Sequence, residues 1–196
     1  QSVMNADLIL VFDKGKINLQ AANLVGIKAV ISGNIAEIVK TEGKLNKTMR
    51  KGYLKEVYKV KDESGQEVEK IKWHKTEYAE FDMENSARLN MSFKMVSTAD
   101  GAICTSDSYN LSNSDKLHYA KFEGEKKNLV PGYWKNKDSS SPEDVIKNNP
   151  GDINKLKQLL NAKQTIRTTT SLLSELMDHV AEGITDKVDK YNPENK

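Results

Sequence analysis

The sequence predicts an α+β fold: a single domain with a mainly antiparallel sheet of about five strands, helices packed on it and a long C-terminal helix. Two patterns carry that expectation. Ala87, Leu89, Met91, Phe93 and Met95 alternate with Arg88, Asn90, Ser92 and Lys94, which is the period of a half-buried antiparallel strand. Leu173, Leu176, Met177, Val180, Ile184 and Val188 recur at helical spacing near the end of the chain. Composition bounds the rest. The chain has 196 residues, 37% hydrophobic and 30% charged, which fits one domain over 1–196 with a modest core under a charged surface.

Taken in order, Val3, Asp7, Leu8 and Val11 give a rough helical stripe that Lys14-Gly15 would stop. Residues 18–25 fit a short helix, with Asn18 as cap and Gly26 just past its end. Residues 28–39 read as a strand covered on both faces near its start, and Gly33 suggests a bulge or a close packing contact. Residues 40–52 read as a charged, glycine-punctuated connection. Residues 53–60 and 67–74 flank 61–66, a plausible hairpin turn. The strand over 87–95 runs into Asp100-Gly101, a hairpin signal, and 102–110 should return. The region 28–110 is therefore expected to be a strand meander.

Residues 123–151 read as a loop region, broken by Gly124, Pro131, Gly132, the serine run at 139–141 and Pro150-Gly151. Within it, Ser141 is a candidate cap for a short helix from Pro142, with Asp144 in its first turn. The C-terminal helices span 152–192. Asp152 caps a first one carrying Ile153, Leu156, Leu159 and Leu160, and the last ends near Tyr191 before Asn192-Pro193.

Several function classes fall away. With 30 basic and 28 acidic residues the net charge is +2, which gives no electrostatic case for nucleic acid. No stretch approaches the ~20 apolar residues that span a bilayer. The N-terminus shows no basic patch leading into an apolar run, and the absence of an initiating methionine suggests a mature or trimmed product. His74, His118 and His179 lie far apart with no cysteine partner, so neither a metal nor another cofactor is expected. Cys104, the lone cysteine, excludes an internal disulfide and reads as a strand thiol.

Two features could carry function. Glu77, Glu80, Asp82 and Glu84 cluster, and paired carboxylates can divide acid and base roles, but Lys75, Tyr78 and Phe81 between them suggest a charged strand face. A hydrolase using Cys104 or these carboxylates is the enzymatic alternative. The aromatic and basic run Tyr133, Trp134, Lys135 suits contact with a partner, although the first expectation for Trp134 is that it pins the loop onto the domain.

The run 21–35 (AANLVGIKAVISGNI) resembles the helix-then-strand signature of the curli-secretion lipoprotein (CsgG-like) family. Residues 89–105, with their Thr98-Ala99-Asp100-Gly101 turn, are similar to that family's strand, turn and returning strand, and the terminal helix also fits. The same fold recurs in lipoproteins that activate penicillin-binding proteins. The resemblance implies a non-enzymatic bacterial cell-envelope protein at the periplasmic face of the outer membrane. Such a protein binds an envelope protein or a cell-wall partner and meets the membrane only through a lipid anchor outside this chain. It also implies a homo-oligomer as an option, up to a subunit of a secretion-type ring. A lipid-facing hairpin needs one apolar face, however, and Lys55 and Lys59 on residues 53–60 would put charge into lipid, which favours a soluble relative.

Overall fold

A computed structural model describes residues 8–11, 19–24 and 26–190. It has the expected α+β class, a mostly antiparallel sheet and a long C-terminal helix. The chain divides into two compact units: Gln1–Glu42, Asn85–Asp115 and Arg167–Lys196 form the first, and Gly43–Glu84 and Lys116–Ile166 the second. Strands β4 (Glu67–Ser97) and β5 (Ile103–Lys121) pair with each other and contribute a stretch to each unit.

In the first unit, β1 (Leu8–Val11) lies parallel to the start of β2 (Ala29–Thr41). The helical stripe expected over 3–11 is thus a strand where it is described. Leu8-Ile9-Leu10-Val11 is a short continuous apolar run, whose periodicity does not separate a strand from a helix. The rest of that stripe and its Lys14-Gly15 stop fall outside the described residues. Helix α1 (Leu19–Leu24) follows, as expected. Gly26 has φ of 83°, and the amides of Gly26 and Ile27 bond back to Asn23 and Ala22, the two bonds of a Schellman stop.

Ala29, Val30 and Ile31 of β2 are all buried, as their unbroken apolar run predicts. The bulge falls between Ile35 and Glu37 rather than at Gly33, which sits in register opposite Phe93. On β4, Ala87, Leu89, Met91, Phe93 and Met95 are all buried while Arg88 and Lys94 are exposed. Helix α3 (Thr169–Asp189) lays Leu172, Leu176 and Val180 on Ala87, Leu89 and Met91. The Thr168 hydroxyl caps its first turn. Arg167 ties the helix start to its sheet through Asp115 and a two-pronged contact with Glu175.

In the second unit, β3 (Asn46–Lys61) pairs with β4 from Asn46↔Asp82 to Lys61↔Glu67. The connection read over 40–52 therefore shrinks to 42–45. Residues 46–50 are exposed throughout, so burial leaves no alternation to read. The turn at 61–66 is present: Asp62 accepts the amides of Ser64 and Gln66, and Gly65 has φ of 81°. The strands expected separately at 67–74 and 87–95 are one continuous β4.

The loop region 123–151 holds more structure than its prolines and glycines suggest. It contains β6 (Leu129–Tyr133) and β7 (Val145–Ile146), which pair with each other, and β6 also pairs with β3. The helix expected from Pro142 is a turn leading into β7. Asp144 is used instead on the amides of Lys135 and Ser141, so it is not free to serve a helical first turn. Helix α2 (Pro150–Leu160) is capped by Asn149 rather than Asp152, because Pro150 occupies its first turn and Asn149 Oδ1 accepts the Asp152 amide. Leu156 and Leu160 of α2 pack with Tyr78, Ala120 and Leu129.

Candidate interaction surface

The loop after β6 is organised by three side chains of the adjoining strands. Lys51 Nζ donates to the Trp134 carbonyl at 2.7 Å, and the Tyr53 hydroxyl donates to the Tyr133 carbonyl at 3.1 Å. Lys75 Nζ donates to the Asn136 and Ser139 carbonyls, each at 2.7 Å, and meets Asp144 at 2.6 Å. Gly132 sits where the Tyr53 ring and the Val145 carbonyl would both come within 2.6 Å of any added Cβ. A glycine there lets the chain pass between β3 and β7.

Trp134 is buried, 6% exposed. Its indole nitrogen donates to the carbonyls of Gly52 and Thr76, and Lys51 Nζ stands 4.4 Å above its ring. The indole pins the loop rather than facing solvent. Tyr133 is its exposed neighbour, at 48%, with the same ammonium 5.0 Å from its ring. Lys135 points outward and pairs with Glu143 at 3.0 Å. Of the expected contact residues, Tyr133 and Lys135 are therefore presented at the surface.

Beside Tyr133 runs a groove of about 410 Å³, bordered by Met49, Arg50, Lys51 and Glu80 on one side and Pro131, Gly132, Tyr133 and Lys147 on the other. Met49 is 52% exposed. Arg50 is held by Glu80 at 2.8 Å, and that bond raises its pKa above the ordinary arginine value. Tyr78 below them is pushed up to about 12, chiefly by burial and next by the Glu80 charge. Neither Met49 nor Lys147 stood out in the sequence, because neither lies in a motif.

The other candidates are placed plainly. Glu77 is exposed, and Glu80 pairs with Arg50 and stands 4.0 Å from His118. Asp82 accepts from Asn46, and Glu84 meets Lys116 at 3.5 Å. Asp82 and Glu84 share an open groove with His118, but each is held by a neutral amide or a lysine, an arrangement of ordinary surface pairing. Cys104 is half-buried on β5, its thiol 3.8 Å from the Ala102 carbonyl, beside the cluster of Ile31, Phe93 and Met95. Among the described residues no group of acidic, histidine and cysteine side chains could hold a metal, and no described helix is long and apolar enough to cross a membrane.

Compared with known proteins, the chain matches no family model, no curated protein and no solved structure.

The clamp between Lys75 and Asp144 gives an acid-pH expectation. The Lys75 bond, then the amides of Ser141 and Lys135, hold the Asp144 carboxyl below its ordinary 3.8. A carboxyl depressed by folding adds stability that is present above its unfolded value and is lost as pH falls through its folded value. The stability gap between wild type and Asp144→Asn should thus be full above pH ~4 and close in stronger acid. Urea midpoints of both proteins across that range measure it, and a gap independent of pH would show that the charge contributes nothing.

Proposed function

We propose that this protein is a non-enzymatic interaction or assembly domain of the bacterial cell envelope. It works at the periplasmic face of the outer membrane and binds a partner protein or cell-wall component. The observation that carries this reading is the pinned loop. Trp134, Lys51, Tyr53 and Lys75 fix its backbone while Tyr133 and Lys135 stand exposed beside a groove with an apolar Met49 and several cations. A rigid, half-exposed tyrosine loses little conformational freedom on binding and presents a large amphipathic face, which is what a contact residue needs.

The compartment rests on the likeness to the curli-secretion lipoprotein family. That likeness is one of sequence, carried by the run over 21–35, the strand and turn residues over 89–105 and the terminal helix pattern. The exposed ribbon of β3 and β4 carries charge on both faces, with a Lys59–Glu67 pair at 3.2 Å and a His74–Glu56 contact, which suits water better than lipid.

The test compares envelope proteins and cell-wall material retained by the immobilised wild type with those retained by a Tyr133→Ala, Lys135→Glu variant. Loss of at least one component, with unchanged circular dichroism, is the expected result. Retention of every component at unchanged affinity would sink the reading.

A further inference from the structure

The geometry points to a strand-addition site along β3 at residues 46–51, which takes an extended acidic segment of a partner protein. This rests on the binding role proposed above and names its partner chemistry.

The margin of β3 is occupied unevenly. On one side β4 pairs with all of residues 46–51. On the other, β6 takes only Gly52, Tyr53 and Leu54, and among the described residues no strand pairs with 46–51 there. β6 ends its pairing with β3 at Gly52↔Pro131, while Gly132 and Tyr133 stay in register with Ile146 and Val145 on its other edge. The groove of about 410 Å³ opens where β6 leaves the margin. Alternate peptide groups of a strand face each neighbour, so this stretch offers unpaired donors and acceptors in the line that β6 has vacated. An extended chain laid there continues the sheet and gains backbone bonds without rearrangement.

Charge selects the occupant. On the open stretch Lys47, Arg50 and Lys51 are basic and no residue is acidic, and Lys147 faces it across the groove. Lys47 and Lys147 form no ion pair among the described residues. Lys51 is met by a carbonyl and two rings, not by a carboxylate. The nearby carboxylates Glu77, Glu80 and Asp82 lie one strand further in, with Glu80 held by Arg50 and Asp82 by Asn46. A second copy of this strand would bring like charges together, whereas alternating glutamates or aspartates would meet them. Met49, exposed on the same face as Lys47 and Lys51, and Tyr133, exposed at the groove, add apolar surface beside these charges.

The test uses a short capped peptide alternating glutamate with valine, its lysine-for-glutamate counterpart, and a version with alternate backbone nitrogens methylated. Binding is read by titration, and its place by amide hydrogen exchange. The acidic peptide should bind saturably, slow exchange at residues 46–51 and weaken with added salt. The lysine peptide should not bind. The methylated peptide, and the acidic peptide on a Lys47→Glu, Lys147→Glu variant, should bind about tenfold or more weakly. Both changes are at exposed positions, and circular dichroism checks the fold. Equal binding of the lysine or methylated peptide overturns the proposal, as does protection elsewhere. Binding of a phosphatidylglycerol vesicle or an oligonucleotide in place of the acidic peptide overturns it too. If the peptide fails while Tyr133→Ala, Lys135→Glu still strips partners, the strand-addition site falls and the binding role stands.

Discussion

Replacing Leu172 with alanine is expected to cost about 2–5 kcal/mol of unfolding free energy. Leu172 is wholly buried and sits on α3 among Ala87, Leu89 and Met91 of β4, with Leu176 and Val180 continuing the same face. Truncation there removes the transfer free energy of the lost methyl groups and leaves a void that the flanking strand, paired on both sides, cannot collapse into. Met177, on the same helix but 40% exposed, is the control, and its alanine change should cost under about 1 kcal/mol. Urea denaturation followed by circular dichroism measures both. Equal losses would mean that α3 is not seated on β4 through Leu172.

That comparison also marks how far the helix was legible. The stripe of Leu173, Leu176, Met177, Val180, Ile184 and Val188 gave the helix and roughly its face. Its centre lies nearer Leu172, because two adjacent leucines satisfy one period equally and only the sheet decides which turns inward. The alternation over 87–95 was legible for a stronger reason. One face is packed by α3 and the other meets solvent, so the period of the side chains appears directly in the residues.

Where burial does not alternate, the strands disappear from view. Residues 46–50, polar but for Met49, are exposed on both faces, and β3 starts there unannounced. The charged stretch of β4 between Lys75 and Glu84 hides its continuity in the same way. β6 and β7 are short, β6 in register with β3 and β7 with β6, and Pro131 and Gly132 mask them further. The candidate site divided along the same line. Tyr133, Trp134 and Lys135 stood out as a motif. Their different fates depend on Lys51 and Gly52, which lie 83 and 82 positions from Trp134. No local pattern carries that information.

The second large effect is expected at Trp134. Trp134→Ala should cost about 3–5 kcal/mol, because a buried aromatic is removed from the junction of β3, β4 and the loop. Trp134→Phe keeps most of the volume and loses the indole N–H bonds to Gly52 and Thr76, at 3.3 and 3.4 Å, so about 1–2 kcal/mol is expected. Alanine also takes away the ring under the Lys51 ammonium, a contact of about 1 kcal/mol that phenylalanine partly keeps. Urea midpoints order the three proteins. Trp73 is the second of the chain's two tryptophans, so the difference in emission between wild type and Trp134→Phe isolates Trp134 and should be that of a buried indole. The consequence reaches the proposed role. If Trp134→Ala were as stable as wild type, the loop would not be anchored by this indole, and Tyr133 would have no fixed position from which to meet a partner. With the expected destabilisation, a partner lost on Trp134→Ala alone reports an unfolded loop, whereas loss on Tyr133→Ala with the indole intact reports the contact itself.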